Sequence, residues 1–454
     1  MSIDSAFNRV VQRNPNEPLF HQAVREFFDA VAPVLEKRPD IVQAKILERI
    51  AEPERVIMFT VPWVDDRGEV QVNKGFRVEM SSVLGPFMGG LRFHPSVNLG
   101  TFKFLAFDQV LRNSLTTLPM GAASGGSDFN PKGMSDREVL RFCRSYMTEL
   151  WRYLGADTDL PSGDIGVGPR EIGYLQGTYQ RLANRSVNVV GGKRFDWGEP
   201  LQRQVATGYG AVYFGQEMLK TRGRSIEGMG CLISGSGEVA LAAAEKVADL
   251  GGKVLSLSDA SGFIFFADGL DKEKLAHVRR LKTVERRSVR EYVEREQHGV
   301  FTPFDFSQGF NPLWSHAADI ALPCATQNEL NEQDARNLVK NGVACVVEGA
   351  SMPVTREAAT VFLESHVLFG PDKASNAGGG VVAGLERAQQ GVSLGWTRAE
   401  LDQRLQHVMT RIHENILATA KTFGTGEEQL NYVEGANFAA FLRVANAMLD
   451  AGVG

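Results

Sequence analysis

The sequence lacks the features that mark nucleic-acid-binding, membrane and secreted proteins. Its 49 Lys and Arg residues are outnumbered by 54 Asp and Glu, and a formal net charge of −5 gives no basic surface for nucleic acid. It contains no run of about 18 apolar residues, which a membrane-spanning helix needs. The first residues, MSIDSAFNRVVQRNPNEP, are polar and of mixed charge, unlike a secretory signal. We therefore expect a cytoplasmic protein whose partners are neither nucleic acids nor membranes.

Cysteine and histidine are too few and too scattered to predict a metal site or a disulfide framework. The chain has four cysteines and eight histidines, with no CxxC and no HxxxH spacing among them. Structural zinc sites need such paired ligands, and disulfide frameworks belong to short secreted chains. We expect neither metal nor disulfide chemistry.

The chain does have the length and patterning of a large α/β protein. Its 454 residues, 43% of them hydrophobic, are enough for two or three domains. Helical periodicity covers 17–55, and two alternating segments predict strands joined at Asp66-Arg67-Gly68. The small-residue stretch 118–133 is predicted as a loop. In the second half, apolar strand candidates alternate with helical segments, which predicts a parallel α/β sheet.

The segment GSGEVA, from Gly235 to Ala240, fits the GxGxxA fingerprint of dinucleotide-binding proteins. It follows the apolar segment CLIS and precedes an alanine-rich helix. Gly235 permits the tight turn, Gly237 lets a pyrophosphate reach backbone amides, and Ala240 lets helix and strand pack closely. The remaining residues of this predicted cofactor-binding turn are Ser236, Glu238 and Val239. We expect the Glu238 carboxylate to face solvent, where it favours the helix N-terminus.

An acid follows the next strand, as the fingerprint requires. Asp259 ends the segment VLSLSD, and its spacing suits a hydrogen bond to the 2′-hydroxyl of an adenine ribose, which favours NAD. Ser261 and a cationic helix within 272–287 lie nearby in sequence. That helix either supplies charge to the 2′-phosphate of NADP or forms a solvated face, so the spacing alone leaves the cofactor open.

Seven motifs, read in order along the chain, resemble those of the hexameric glutamate dehydrogenases. They are GGLRFHPSVNLG, LPMGAASGGSDFNPKG, GADTDLPSGDIGVGPREIG, ATGYG, GSGEVA, LPCATQNEL and ASNAGG. The resemblance implies an α/β protein with an N-terminal α/β substrate-binding and oligomerisation domain at 1–202 and a Rossmann-like dinucleotide-binding domain at 203–380. C-terminal helices at 381–454 would return to the first domain. It further implies a small-molecule substrate and a homohexamer.

The resemblance also assigns cofactor contacts. Ser261 and Lys282 match positions where NADP-preferring members bind the 2′-phosphate, which favours NADP over NAD. Thr207 and Asn376 match positions that hold the nicotinamide carboxamide and ribose. Further implied contacts are Ala325, Thr326 and Ser351, the last standing where the family has an asparagine.

The implied substrate pocket departs from the family at the end that binds the side chain of glutamate. Met88 stands where the family has a lysine that binds the side-chain carboxylate, and Ala383 replaces a serine. A carboxylate buried there would be unpaired, at a cost of several kcal/mol. Considered alone, Met88 is consistent with a core filler, but Met88 and Ala383 together favour a changed specificity. The residues implied to bind the α-carboxylate agree better with the family, with matches at Gly89, Gln109 and Arg112.

Two residues are candidates for the chemistry. Asp164 matches the family's proton-shuttling carboxylate, although an aspartate among glycines is also typical of a helix cap. Ser124 stands where the family has its catalytic lysine. Loss of that lysine predicts a large loss of rate in any step that adds water or ammonia to a carbonyl. Lys103 and Lys132 are close in sequence, but neither is at the matching position.

These departures favour an NADP(H)-dependent oxidoreductase of glutamate dehydrogenase type that acts on the CH–NH or C=N bond of a non-glutamate amino acid, imine or keto acid. The first alternative is a catalytically inactive glutamate dehydrogenase paralogue with a structural or regulatory role. The second is an ordinary glutamate dehydrogenase.

Overall fold

The computed structural model describes residues 3–191, 203–305, 307, 309–390, 396–424 and 430–453. The helices are α1 (Ile3–Arg13), α2 (Pro18–Ala30), α3 (Ala32–Lys37), α4 (Pro39–Gln43), α5 (Ile46–Ile50), α6 (Leu99–Leu115), α7 (Asp136–Leu150), α8 (Pro169–Ala183), α9 (Arg203–Lys220), α10 (Glu238–Asp249), α11 (Lys272–Thr283), α12 (Val289–Glu296), α13 (Glu332–Lys340), α14 (Arg356–Glu364), α15 (Asp372–Ser375), α16 (Gly378–Gln390), α17 (Arg398–Phe423) and α18 (Tyr432–Asp450). The strands are β1 (Arg55–Val64), β2 (Val70–Ser81), β3 (Phe87–Phe93), β4 (Ala122–Ser127), β5 (Asp159–Gly163), β6 (Gly230–Ile233), β7 (Lys253–Asp259), β8 (Gly262–Leu270), β9 (Val300–Pro303), β10 (Ile320–Leu322), β11 (Cys345–Val347) and β12 (Leu368–Gly370). None of these helices combines the length and apolarity needed to cross a membrane.

The chain divides into two compact units. The first unit contains the described residues of Met1–Pro200, Ala383–Trp396 and Asn437–Gly454. Its sheet has the order β1-β2-β4-β3-β5. The pairs β1–β2 and β2–β4 are antiparallel, whereas β3 pairs in parallel with both β4 and β5. The predicted strands on either side of Gly68 are therefore confirmed as the β1–β2 hairpin.

The stretch 118–133 is not a bare loop, because its centre is the buried strand β4. The small residues there allow neighbouring strands to approach closely. A Cβ on Gly125 would overlap the carbonyl oxygen of Phe76, and one on Gly89 of β3 would overlap that of Ala123. Glycine usually weakens a strand but is retained where another backbone comes this near. The small residues that suggested a loop are therefore required by the packing of neighbouring strands.

Aromatic side chains form much of the core of the first unit. Phe129 and Phe142 stack with ring centroids 3.8 Å apart, next to Phe93 of β3. Elsewhere in this unit, Phe27 of α2 makes edge contacts with Phe107 of α6 and Phe441 of α18. The last helix is thereby attached to the N-terminal helices, and α6 packs on β2 and β4.

The second unit contains the described residues of Leu201–Val382 and Thr397–Ala436. Its sheet has the order β12-β11-β10-β6-β7-β8-β9. The strands from β12 to β7 pair in parallel, as predicted, but β8 and β9 continue the sheet antiparallel. The sheet is therefore mixed, because β8 follows β7 through a tight turn at Ala260–Ser261 rather than through a helix.

The C-terminal segment is shared between the units. We expected 381–454 to pack as a whole on the first domain, but α17 belongs to the second unit and packs against α9. Tyr213 of α9 donates a hydrogen bond to Asp402 of α17 at 2.8 Å, and Lys246 of α10 forms an ion pair with the same carboxylate at 2.8 Å. Apolar periodicity in the sequence does not reveal these partly buried polar contacts.

Candidate functional site

Asp164 follows β5 in the first unit and lies beside β3. The Arg92 Nε and Nη2 atoms each lie 2.9 Å from its Oδ2 atom. A Cβ on Gly90 would come within 2.8 Å of the Asp164 Cβ, so this glycine makes room for the acid. The helix that follows is capped at Gly168 instead. Asp164 is thus a partly exposed, oriented carboxylate, as a proton-transfer group requires.

Ser124 occupies the middle of β4, opposite Val78 in the register with β2. Its side chain is buried, with only 4% of the residue exposed. The position contributes a neutral hydroxyl and no charge. Of the lysines near it in sequence, Lys103 is itself buried and bound to Asn14 Oδ1 at 2.7 Å and Glu17 Oε1 at 2.8 Å, so it is not a replacement cation.

Met88 and Ala383 meet in one apolar cluster of the first unit. Both are buried together with Met120 and Leu160, and Leu118 packs against them. Gly384 is also held close, since a Cβ there would lie 2.7 Å from side-chain atoms of Leu118 and Met120. The two substitutions inferred from the sequence are therefore neighbours in space, and they make one continuous apolar surface.

The α6 helix carries Gln109 and Arg112, two of the three residues implied to bind an α-carboxylate, and the third, Gly89, lies on β3. Gln109 donates to Asn113 Oδ1 at 2.6 Å, and Asn113 in turn donates to the carbonyl oxygen of Gly121 at 2.6 Å. Arg112 pairs with Asp108 one turn earlier, with Nε 2.5 Å from Oδ2. The Gln109–Asn113 pair thus ties α6 to the segment that enters β4, and a cation lies on the same helix.

A buried ion pair lies next to the β3 backbone at Gly89 and Gly90, and the motifs in the sequence did not identify it. Arg77 on β2 binds both carboxylate oxygens of Asp159 on β5, and both side chains are fully buried. Its Nη1 atom lies 3.4 Å from the carbonyl oxygen of Gly89 and 3.5 Å from that of Gly90. Burial opposes the charge of Arg77, yet the pairing with Asp159 raises its pKa. An arginine within an alternating apolar strand is the only sequence signal that points to it.

The glycine turn in the second unit has the geometry of a phosphate-binding turn. Gly235 has a φ of +85°, and its amide donates to Ser258 Oγ on β7 at 2.7 Å. Gly237 caps α10, and the space where its Cβ would project is open. Ala240 is fully buried against the sheet. A helix N-terminus with free space beside it suits an anionic group, so these residues fit a dinucleotide.

Asp259 is part of a hydrogen-bonded cluster at the end of β7. Its carboxylate accepts from Lys282 Nζ at 2.8 Å, from Ser261 Oγ at 2.6 Å and from the Val289 amide at 2.8 Å. Ser261 also shares a hydrogen bond with Ser288. Burial raises the pKa of Asp259, but the bonds from Lys282 and Ser261 outweigh it and lower the pKa to about 2. The structure therefore brings together three residues that the sequence assigned to the adenine ribose.

Glu238 does not simply face solvent. Its Oε2 atom lies 3.0 Å from Arg279 Nη1 on α11, in a pair that is about one third exposed. Val239 is half-buried next to it, and Ser236 is buried in the turn. The cationic helix thus makes specific ion pairs with the turn and with Asp259, in contrast to a purely solvated face.

The loop after β10 lies directly against the turn. A Cβ on Gly235 would come within 3.2 Å of the Ala325 Cα. Glu329 holds this loop, since its Oε1 accepts from the amides of Ala325 at 2.9 Å and Thr326 at 3.4 Å. Burial raises the pKa of Glu329 to about 7, although these backbone bonds act to lower it. Glu329 is a further residue that motif matching did not single out.

The remaining cofactor candidates lie on α9 and near α15. Thr207 donates to the Arg203 carbonyl oxygen at 3.0 Å, and a Cβ on Gly379 would come within 2.7 Å of its Oγ1. Asn376 Nδ2 lies 3.5 Å from Ser351 Oγ and 3.4 Å from the carbonyl oxygen of Gly349. The structure therefore brings Asn376 and Ser351 together. Among the described residues, no group of three or more His, Cys, Asp or Glu is placed to hold a metal ion.

The second unit has a glycine turn at a helix N-terminus and an acid after the next strand, and the first unit has an oriented aspartate. This combination is typical of two-domain dehydrogenases that use a dinucleotide cofactor. Two family models match the chain: Glu/Leu/Phe/Val dehydrogenase, dimerisation domain, at residues 53–181, and Glutamate/Leucine/Phenylalanine/Valine dehydrogenase at residues 198–452. The chain belongs to the Glu/Leu/Phe/Val dehydrogenase family.

Individual relatives resemble the chain over its full length. It is 51% identical to an NADP-specific glutamate dehydrogenase of Haemophilus influenzae, across 100% of this chain and 99% of that protein. It is 50% identical to one of Escherichia coli K12, across 100% and 99%. A solved structure of Plasmodium falciparum glutamate dehydrogenase 2 has a TM-score of 0.94 and 45% identity, and the match covers 99% of this chain and 97% of that one.

These relatives correct the function inferred from the sequence. The prediction of a non-glutamate substrate, with an inactive paralogue as the alternative, is wrong in the light of full-length relatives at 51% and 50% identity that are NADP-specific glutamate dehydrogenases. Differences at Met88, Ser124 and Ala383 are outweighed by identity to these glutamate dehydrogenases at about half of all positions. The family resemblance and the two-unit α/β fold are confirmed.

Proposed function

We propose that the protein is an NADP-dependent glutamate dehydrogenase, which interconverts L-glutamate with 2-oxoglutarate and ammonia. The observation that carries the proposal is identity of 51% and 50% across essentially the whole length of two NADP-specific glutamate dehydrogenases. The oriented Asp164–Arg92 pair supports it, because deamination of an amino acid needs a group that moves protons at the amine nitrogen.

The proposed cofactor is NADP, which when bound accepts or supplies the hydride. Its pyrophosphate would lie at the N-terminus of α10, against the amides of the turn from Gly235. The 2′-phosphate would be bound by Lys282 and Ser261, which already lie together around Asp259. The proposed nicotinamide-side contacts are Thr207, Ala325, Thr326, Ser351 and Asn376.

In the first unit, we assign the substrate's α-carboxylate to the Gly89 backbone, Gln109 and Arg112. Arg112 supplies the positive charge, in a planar form that suits a carboxylate. Asp164 would take a proton from the ammonium group before hydride leaves the α-carbon and return one when the imine is reduced. Arg92 holds that carboxylate in one orientation.

The apolar cluster and Ser124 determine the substrate binding and the turnover rate that we expect. The side-chain carboxylate of glutamate would meet Met88 and Ala383 rather than a cation and a hydroxyl, so we expect weak ground-state binding. Water addition to the imine would proceed without a cation at position 124, so we expect that step to limit turnover. Met88 and Ser124 are both buried in the first unit and uncharged, so neither side chain offsets a negative charge at a depth where such a charge needs a partner.

We also propose a homohexamer. Support comes from the match of residues 53–181 to a dimerisation domain. One face of the β1–β2 hairpin exposes the large apolar side chains Val56, Met58, Val64, Val70 and Val72. β1 is an edge strand of its sheet, and such an edge with an apolar face is suited to contact with a second copy.

The proposal is tested with purified full-length protein, NADPH, ammonium and a panel of 2-oxo acids. We expect NADPH oxidation with 2-oxoglutarate and glutamate as the product by mass spectrometry. Oxidation with an apolar oxo acid but not with 2-oxoglutarate, at saturating NADPH, would overturn the glutamate assignment.

A further inference from the structure

Glu238 places a negative charge where the cofactor needs a positive potential. It is the first residue of α10, directly after the capping Gly237. Free amides and the helix dipole make such an N-terminus attractive to anions. A carboxylate there stabilises the empty helix but repels a pyrophosphate that binds to the same amides.

Arg279 on α11 holds this carboxylate along the side of α10. Its Nη1 atom lies 3.0 Å from Glu238 Oε2, and its Nη2 atom lies 2.9 Å from Glu245 Oε2. Glu238 and Glu245 are seven residues apart and therefore lie on the same face of the helix, two turns from each other. The guanidinium bridges them, so it fixes the Glu238 carboxylate on the face of α10 that also carries Glu245 and offsets its negative charge.

The position of Arg279 is itself fixed through Glu245. The other oxygen of that carboxylate, Oε1, accepts from Tyr209 Oη at 2.7 Å and lies 3.2 Å from Arg398 Nη2. Tyr209 and Arg398 come from α9 and α17 of the same unit. Glu245 is therefore a fixed anchor, and Arg279 carries its constraint to the phosphate turn.

Other cations of the same helix have different partners. Lys272 pairs with Asp249, Arg280 with Glu285 and Lys282 with Asp259. Within the described part of the chain, Arg279 is the cation that pairs with Glu238, and a neighbour such as Arg280 serves as a control of equal charge.

We propose that Arg279 is a cofactor-positioning residue: by pairing with Glu238 it keeps that carboxylate from repelling the dinucleotide phosphates at α10. The proposal rests on the proposed binding of NADP to this turn. It assigns Arg279 an action through Glu238 rather than a direct contact, and this distinction is testable because removal of Glu238 should make Arg279 dispensable.

The test is the Kd for NADPH, measured by nucleotide fluorescence at low salt and at 0.5 M salt, for Arg279→Gln, Glu238→Gln, the double variant and Arg280→Gln. We expect Arg279→Gln to weaken binding about tenfold at low salt, and less at high salt where the repulsion is screened. Glu238→Gln should bind as tightly as the parent or more so. The double variant should return to within about twofold of Glu238→Gln, and Arg280→Gln should stay near the parent.

Two results would overturn the inference. If Arg279→Gln binds NADPH like the parent, the carboxylate needs no restraint. If the double variant binds as weakly as Arg279→Gln, Arg279 acts through something other than Glu238, including a merely structural role. Failure of the parent itself to bind NADPH would instead refute the proposed cofactor, and melting temperatures of all four variants check that the fold is kept.

Discussion

At the scale of single residues, we propose that Met88 determines how tightly the substrate's second carboxylate is bound. It is buried among Met120, Leu160 and Ala383, and none of these side chains pairs with an anion. We predict that Met88→Lys lowers KM for 2-oxoglutarate by about tenfold or more, since a paired buried carboxylate avoids a penalty of several kcal/mol. Initial rates against 2-oxoglutarate concentration provide the measurement.

The matched control for position 88 is Met88→Leu, which conserves volume and adds no charge. It should leave KM near the parent value. A Met88→Lys variant that folds, as judged by its melting temperature, but binds 2-oxoglutarate no better would mean that the side-chain carboxylate is bound elsewhere in the first unit.

We propose that Ser124 affects turnover rather than substrate binding. Because its hydroxyl carries no charge, Ser124→Lys should raise kcat by about a hundredfold or more, through stabilisation of the developing oxyanion and activation of water. Ser124→Ala should leave kcat almost unchanged. Equal rates in the lysine and alanine variants would show that water addition is not the slow step.

At the scale of elements, a buried histidine links α17 to α18. His413 Nε2 lies 3.1 Å from Tyr432 Oη, and burial lowers the pKa of His413 to about 4. The unfolded chain, with a histidine pKa near 6.5, binds the proton more tightly, so stability is lost as pH falls from about 6.5 to about 4. We expect this group to contribute at most about 3 kcal/mol to that loss.

Melting temperatures across pH 4 to 7 check this prediction. His413→Gln, which keeps a polar partner for Tyr432, should melt with a shallower pH dependence than the parent. His407→Gln, an exposed position on the same helix, should keep the parent slope. A parental slope in His413→Gln would contradict the assignment.

A substitution on the β1–β2 hairpin tests whether this surface contacts another subunit in the proposed hexamer. Val72 is 65% exposed on its apolar face, and Val284 is 73% exposed on the second unit. Val72→Glu should shift the mass of the assembly toward smaller species in light scattering, because a charge is costly inside an interface. Val284→Glu should leave the mass unchanged. A hexamer that tolerates Val72→Glu would place the subunit contacts on another surface.

Elements with strong periodicity followed from the sequence, and elements built from small residues did not. The β1–β2 hairpin, α10 and the parallel strands around β6 all match their patterns. Strand β4 did not match its pattern, because its glycines are required by close contacts with neighbouring strands that are distant in sequence. The long helical segment at 17–55 is in fact the separate helices α2 to α5, broken before Pro33 and Pro39.

The candidate site divides in the same way, into residues that motifs locate and partners that depend on contacts between distant elements. Motif spacing located Asp164, the turn from Gly235 and the Asp259 cluster. Their partners, among them Arg92 and Arg279, come from other elements, and a single sequence contains no signal for such pairs. The position of α17 in the second unit was not predicted either, and the polar contacts of Asp402 with Tyr213 and Lys246 are made to other elements of that unit.

At the scale of the whole molecule, two units carry two halves of one proposed reaction. The first unit holds the oriented Asp164 carboxylate, and the second holds the glycine turn with the Asp259 cluster to which we assign the 2′-phosphate. Identity of about half over the full length of two NADP-specific glutamate dehydrogenases favours the retention of both halves. We propose that the residues at positions 88, 124 and 383 affect substrate binding and rate within that reaction.

The most direct measurement is the initial rate of NADP reduction by L-glutamate, in the parent and in Asp164→Asn, with NAD in a parallel assay. We predict glutamate-dependent reduction that is faster with NADP than with NAD and falls by at least about a hundredfold in Asp164→Asn, with little change in KM. No glutamate-dependent reduction by a parent protein that binds NADPH, or an Asp164→Asn variant as fast as the parent, would contradict the account.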